Sequence, residues 1–131
     1  MKQDGKYLEK AVEKAFKENN AWYHRLNDSA AGRNLTSAQP ADAICCSNGH
    51  SFLLELKSTK VPRRLPRFVQ HSRMKLAYDN GLDGYVLVHR YEADIFYLLN
   101  IKDLELGKPS HDLREWPELT WSEVIGEVLN G

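Results

Sequence analysis

The chain has 131 residues, 42% of them hydrophobic, with 18 basic and 18 acidic side chains that cancel to no net charge. That length supports one domain with a buried core, and a neutral total by itself speaks against a nucleic-acid partner. No apolar run approaches the ~20 residues that span a membrane. The polar start Met1-Lys2-Gln3-Asp4-Gly5 lacks a signal-peptide pattern, so a cytoplasmic protein with no membrane partner is expected, in a bacterial or archaeal cell or a virus-infected host.

Taken in chain order, residues 4–19 place Leu8, Ala11, Val12, Ala15 and Phe16 at helical spacing, which predicts an amphipathic helix ended by Asn19-Asn20. Residues 21–27 are rich in aromatics and read as a strand, and 28–39 as a polar loop. Two apolar runs, 41–46 and 51–58, flank Asn48-Gly49, the strongest short signal for a two-residue hairpin. The adjacent Cys45 and Cys46, the only cysteines, make neither a zinc site nor a disulfide framework. They read as reduced packing residues on opposite faces of the strand. Pro62 and Pro66 bracket a basic linker where regular structure is not expected. A second helix is predicted from residue 66 or 67 to 78, closed by Asn80-Gly81. Residues 84–90 and 93–99 read as two more strands joined at Tyr91-Glu92, and 121–129 as a last helix. The order αβββαββα predicts an α/β fold, a mixed β-sheet flanked by helices.

The hairpin carries the chemistry. With Asn48-Gly49 at its tip, Ser47 faces His50, Ile44 faces Leu53, and Asp42 falls opposite Glu55. Directly opposed residues bring their Cβ atoms to about 5 Å, where like charges destabilise a sheet unless a cation lies between them. Lys57, two residues past Glu55, shares its face. The stretch Phe52-Leu53-Leu54-Glu55-Leu56 is apolar enough for a central strand, where an unpaired carboxylate is costly. Two carboxylates and a lysine on one patch point to metal-dependent phosphodiester chemistry.

The charges are also unevenly placed. Residues 57–75 hold Lys57, Lys60, Arg63, Arg64, Arg67, Arg73 and Lys75 with no acid, whereas residues 101–131 hold seven acids against Lys102, Lys108 and Arg114. A basic block just after the carboxylates suits a phosphate backbone; a solvated basic loop is the alternative. The histidines show no metal-binding spacing and receive no catalytic role. Trp22, Trp116 and Trp121 read either as core residues or as platforms for bases.

Pro40-Ala41-Asp42 followed by Glu55-Leu56-Lys57 resembles the signature of the PD-(D/E)xK nuclease superfamily, with Ala41 as a one-residue spacer. Within it the chain is most similar to small Holliday junction resolvases, the Hjc-like and RecU-like enzymes. Gly5-Lys6-Tyr7-Leu8-Glu9 resembles their Gly-Lys-x-x-Glu opening, and Glu55-Leu56-Lys57-Ser58-Thr59-Lys60 their Glu-x-Lys-x-Thr segment. Gly84-Tyr85-Val86-Leu87-Val88 matches the strand that follows their second helix. The resemblance implies one restriction-endonuclease-like domain over residues 1–131, with a core at about 5–100 and an acidic C-terminal extension at about 101–131. The long RecU stalk insertion is missing.

The implied activity is Mg2+-dependent cleavage of DNA, branched DNA in particular, with Mn2+ as a substitute metal. Asp42, Glu55, Lys57 and Glu9 are the implied catalytic residues; Asp42, Glu55, the Leu56 backbone carbonyl and Glu9 are the implied metal ligands. Glu9 sits at the edge of the first helix's apolar face beside Phe16, and the resemblance selects it over Glu13. DNA contacts fall to Arg25, Lys60, Arg63, Arg64, Arg67, Gln70 and Arg73, with a surface ion pair as the equal alternative for Arg25. Gln70-His71 inverts the His-Gln order of RecU-like enzymes. Paired cuts across a junction call for a C2 homodimer, and Tyr85, Leu87, Phe96 and Leu98 suit either its interface or the core. Two other readings stand beside this one: a nuclease of the superfamily acting on linear duplex or ends in repair or restriction, and a non-catalytic DNA-binding module.

Overall fold

The computed structural model describes residues 5–26, 39–60 and 64–130. Its elements are α1 (Gly5–Glu18), β1 (Trp22–Arg25), β2 (Ala43–Ser47), β3 (His50–Thr59), β4 (Arg64–Pro66), α2 (His71–Asp79), β5 (Asp83–Arg90), β6 (Ile95–Asn100), β7 (Ser110–Asp112) and α3 (Trp121–Asn130). Five strands form one sheet in the order β1-β2-β3-β5-β6, and β4 pairs with β7 apart from it. β3 and β5 run parallel; the other neighbours in the large sheet are antiparallel. The fold is therefore α/β with a mixed sheet and flanking helices, as expected.

The β2–β3 hairpin has the predicted register, with Ser47 opposite His50, Ile44 opposite Leu53 and Ala43 opposite Leu54. Asn48 and Gly49 take φ of 56° and 80°, so both turn residues are left-handed, which matches the twist of the flanking strands. Strand alternation then sorts β3 between two cores. Phe52 and Leu54 join Leu8, Val12, Phe16, Val124 and Val128 beneath α1 and α3. Leu53 joins Leu65, Phe68, Met74, Val86 and Ile101 on the α2 side. Cys45 is buried and Cys46 half-buried, in line with opposite faces. Gly84 lets α2 lie close on β5, since a Cβ there would come within 3.1 Å of the Met74 methyl and 3.3 Å of Ile101.

Three expectations need correction. The Pro62–Pro66 stretch is not wholly irregular: Arg64–Pro66 forms β4, with Leu65 opposite His111. Pro66 is tolerated because it ends a strand that has only one neighbour. The second helix begins at His71 rather than at 66 or 67, because the Arg67 N–H donates to the Pro109 carbonyl and Phe68 turns inward. Leu87 and Phe96 are each 1% exposed and belong to the core, so they cannot form a dimer surface; Tyr85 and Leu98 are half-buried. The predicted close of α2 holds, with Gly81 at φ 103° and its N–H donating to the Tyr78 carbonyl. The loop expected at 28–39, apart from Gln39, lies outside the described residues, as does Arg63.

Residues past 100 pack into both cores. Ile101, Leu104 and Leu113 close the α2 side. Leu119 bridges to Phe96, and α3 starts at a reciprocal cap in which the Thr120 N–H donates to Glu123 and the Glu123 N–H to Thr120. Among the described residues no helix is long and apolar enough to cross a membrane.

Candidate active site

The hairpin ladder ends at Ala43–Leu54, and Asp42 lies one residue before it, close enough to Glu55 for its charge to act on that carboxyl. Asp42 is wedged in place by two bonds. Its carbonyl accepts from the Leu26 N–H at 2.8 Å, and its Oδ2 accepts from the Leu56 N–H at 2.7 Å. The side chain thus ties the start of β2 to β3 and holds the carboxylate at the strand ends.

Glu55 is 2% exposed, an unusual place for an acid. Its Oε2 meets Lys57 Nζ at 3.2 Å, while its Oε1 is buried without a hydrogen-bond partner. Burial, then the charge of Asp42, raises the Glu55 pKa to about 7; the Lys57 ammonium and the Asp42 N–H pull it the other way. A buried acceptor oxygen without a donor costs about 1–3 kcal/mol, and a hard cation is one group that would satisfy it beside a second carboxylate. Lys57 also lies over the Phe68 ring, 5.4 Å from its centroid. Phe68 in turn stacks on His71, with centroids 5.1 Å apart and planes within 5°. Phe68 carries no local signal in the sequence; only the turn after β4 brings it beneath a lysine eleven positions earlier.

Glu9 reaches the same end of the sheet from α1. Arg25 Nε meets its Oε1 at 3.0 Å. Burial raises the Glu9 pKa and Asp42 adds to the rise, while Arg25 opposes it. The structure thus brings together Asp42, Glu55 and Lys57 with Glu9 nearby, and of the two readings for Arg25 it displays the ion pair. Among the described residues no set of three or more His, Cys, Asp and Glu side chains forms a metal cage. Any ion at Asp42 and Glu55 would complete its shell with backbone oxygen, water or substrate.

The basic block is less open than its sequence suggests. Arg64 donates to Ser110 Oγ at 3.1 Å and Arg67 to the Gly107 carbonyl at 3.2 Å, so both fasten the 107–110 segment. Lys60 is exposed just past β3, Arg73 is exposed on α2, and Gln70 caps α2 through its backbone position with no side-chain bond.

No known family profile matches this chain, and no curated protein matches it in sequence. Solved structures do match. One is Archaeoglobus fulgidus Hjc, a Holliday junction resolvase from an archaeal hyperthermophile, at a TM-score of 0.67 and 18% identity. The match covers 93% of this chain and all of the other. This chain has the Hjc fold. The likeness takes in a larger share of the chain than residues 5–100, so part of the acidic C-terminal region shares it as well.

Proposed function

We propose that the protein is a metal-dependent DNA endonuclease that cuts branched DNA, a Holliday junction resolvase. The observation that carries this reading is the buried Glu55 carboxylate. One of its oxygens has no partner, Asp42 stands at its side, and Lys57 faces the same cleft. The Hjc fold supports it.

In this reading Asp42, Glu55 and the Leu56 carbonyl hold one or two Mg2+ ions, with Mn2+ as a substitute and Glu9 acting through the outer edge of the site. Bound there, the metal supplies Lewis-acid stabilisation of the phosphate's developing charge and a lowered pKa for the attacking water. The protein's own groups do the positioning. The Asp42–Leu56 bond holds the two carboxylates close together, so their mutual repulsion, offset in part by Lys57, favours a cation between them. Lys57 is held between Glu55 and the Phe68 face, which aims its ammonium at the cleft. From there it orients the water attacking phosphorus in line with the leaving oxygen and offsets negative charge on the phosphate. Arg25, Lys60, Arg63, Arg64, Arg67, Gln70 and Arg73 serve as backbone contacts, and a C2 homodimer presents two sites to the two equivalent strands of a junction.

The test is cleavage of a labelled four-way junction and of a matched linear duplex, in Mg2+, in Mn2+ and in EDTA. Paired cuts in the junction with either metal, and none in EDTA, are expected. Equal cutting of the linear duplex points instead to a repair or restriction nuclease. Binding without cutting under every condition points to a non-catalytic module.

A further inference from the structure

A second basic surface lies on the opposite layer of the molecule from the 57–75 block. On α1 the exposed lysines Lys6, Lys10, Lys14 and Lys17 recur at intervals of four, four and three residues, and so share one stripe of the helix. Lys10, Lys14 and Lys17 line an open groove of about 560 Å³ together with Glu13, Ala21, Trp22 and Tyr23. Among the described residues none of these three lysines has a carboxylate within ion-pair range, Glu13 included. Like charges three and four apart on a helix face repel by a few tenths of a kcal/mol per pair, and Glu13 is the acid that lines the groove with them.

Trp22 supplies the second observation. It is 49% exposed on the edge strand β1, and its ring stacks on His24 at 5.4 Å with planes 2° apart. Trp121, by contrast, packs on the buried Phe96. A flat aromatic face left open beside unpaired ammonium groups is how proteins receive nucleic-acid strands. Glu9, on the same helix, feels the charge of Asp42, so α1 borders the Asp42–Glu55 cleft. From Lys6 to Lys17 the stripe spans about 16 Å, the axial length of roughly five phosphates on one strand.

We infer that the groove between α1 and β1 is a second DNA-binding surface, at which Lys10, Lys14 and Lys17 hold the phosphate backbone of a segment flanking the cut and Trp22 lies against it. This inference rests on the nuclease reading above and extends it. Bound DNA is gripped on both faces of the sheet, by the 57–75 block on the α2 side and by the stripe on the α1 side.

The test uses the whole protein in EDTA, with a labelled four-way junction and a linear duplex, and measures Kd by anisotropy across a salt series. Lys10→Ala, Lys14→Ala and Lys17→Ala combined should weaken binding at least tenfold near 0.1 M salt and flatten the log–log salt slope by about 2 to 3 units. The three Lys→Arg replacements should restore both. DNA should also change the tryptophan emission of the native protein but much less that of Trp22→Phe. Unchanged Kd and slope in a triple variant that melts like the native protein would overturn the inference while leaving the nuclease reading intact. Failure of the native protein to bind either DNA would remove both.

Discussion

The two faces of β3 do different work. Toward α1 and α3 the strand presents Phe52, Leu54 and Leu56, all apolar and packed against Leu8, Phe16 and Val128. Toward α2 it presents Leu53 and then Glu55 and Lys57, with His71 and His111 buried in the same layer. One face gains stability from burial alone. The other holds a carboxylate with an unpartnered oxygen and two histidines whose burial disfavours their charged forms. The contrast teaches that the candidate site is a tolerated defect on one side of a strand whose other side secures it.

The strongest way to sharpen that contrast is to change the charged face. In the proposed mechanism Asp42→Asn or Glu55→Gln should lower cleavage by on the order of a thousandfold, since each would remove a ligand to an ion worth several kcal/mol at the transition state. Neither should unfold the protein, and in EDTA either variant should melt at or above the native temperature. A large loss of thermal stability would mean that the pair is structural. On the apolar face the outcome should reverse. Phe52→Ala should cost about 3–5 kcal/mol in denaturant unfolding, and the fraction that stays folded should keep its cleavage rate.

The pH dependence of stability should carry the same signature. The folded pKa of Glu55, about 7, lies above its ordinary value, so the unfolded chain loses that proton first. Without metal, the Glu55 contribution to stability should therefore fall as pH rises from about 4.5 to about 7, then level off, and Glu55→Gln should remove it. His71 acts with the opposite sign. Burial, with His111 and Lys75 adding to it, lowers its pKa, so the unfolded chain takes up a proton first and stability falls as pH drops below about 6.5. The two contributions oppose each other over the same interval, so His71→Gln should steepen the fall with rising pH below about 6.5, whereas Glu55→Gln should leave a rise. Chemical denaturation of the native protein and both variants at half-unit pH steps in EDTA separates the two contributions.

The smallest effect belongs to Phe68. Phe68→Leu keeps an apolar side chain but removes the ring beneath Lys57, an interaction of about 0.5–1 kcal/mol. Cleavage should slow about two- to fivefold, and Phe68→Tyr should restore it. If Phe68→Leu cuts at the native rate, the ring plays no part in holding Lys57.

Much of the site was legible in the chain because it depends on contacts between near neighbours. Asn48-Gly49 dictates a two-residue turn with left-handed φ, and period-two alternation then places Glu55 and Lys57 on one face of β3, with Asp42 just past the end of the paired ladder. The apolar stripe of α1 and the Asn80-Gly81 close of α2 are local in the same sense. What only the tertiary structure decided lies at long range. The basic stretch is part strand because residues 110–112 lie beside it, and Arg64 and Arg67 are engaged by a segment some forty positions away. Phe68 meets Lys57, and Arg25 meets Glu9, only once the layers have packed. Alternation and turn chemistry act over a few residues and can be read from the order of side chains. The partner of a surface charge depends on which elements the two cores draw together, and no local pattern encodes that.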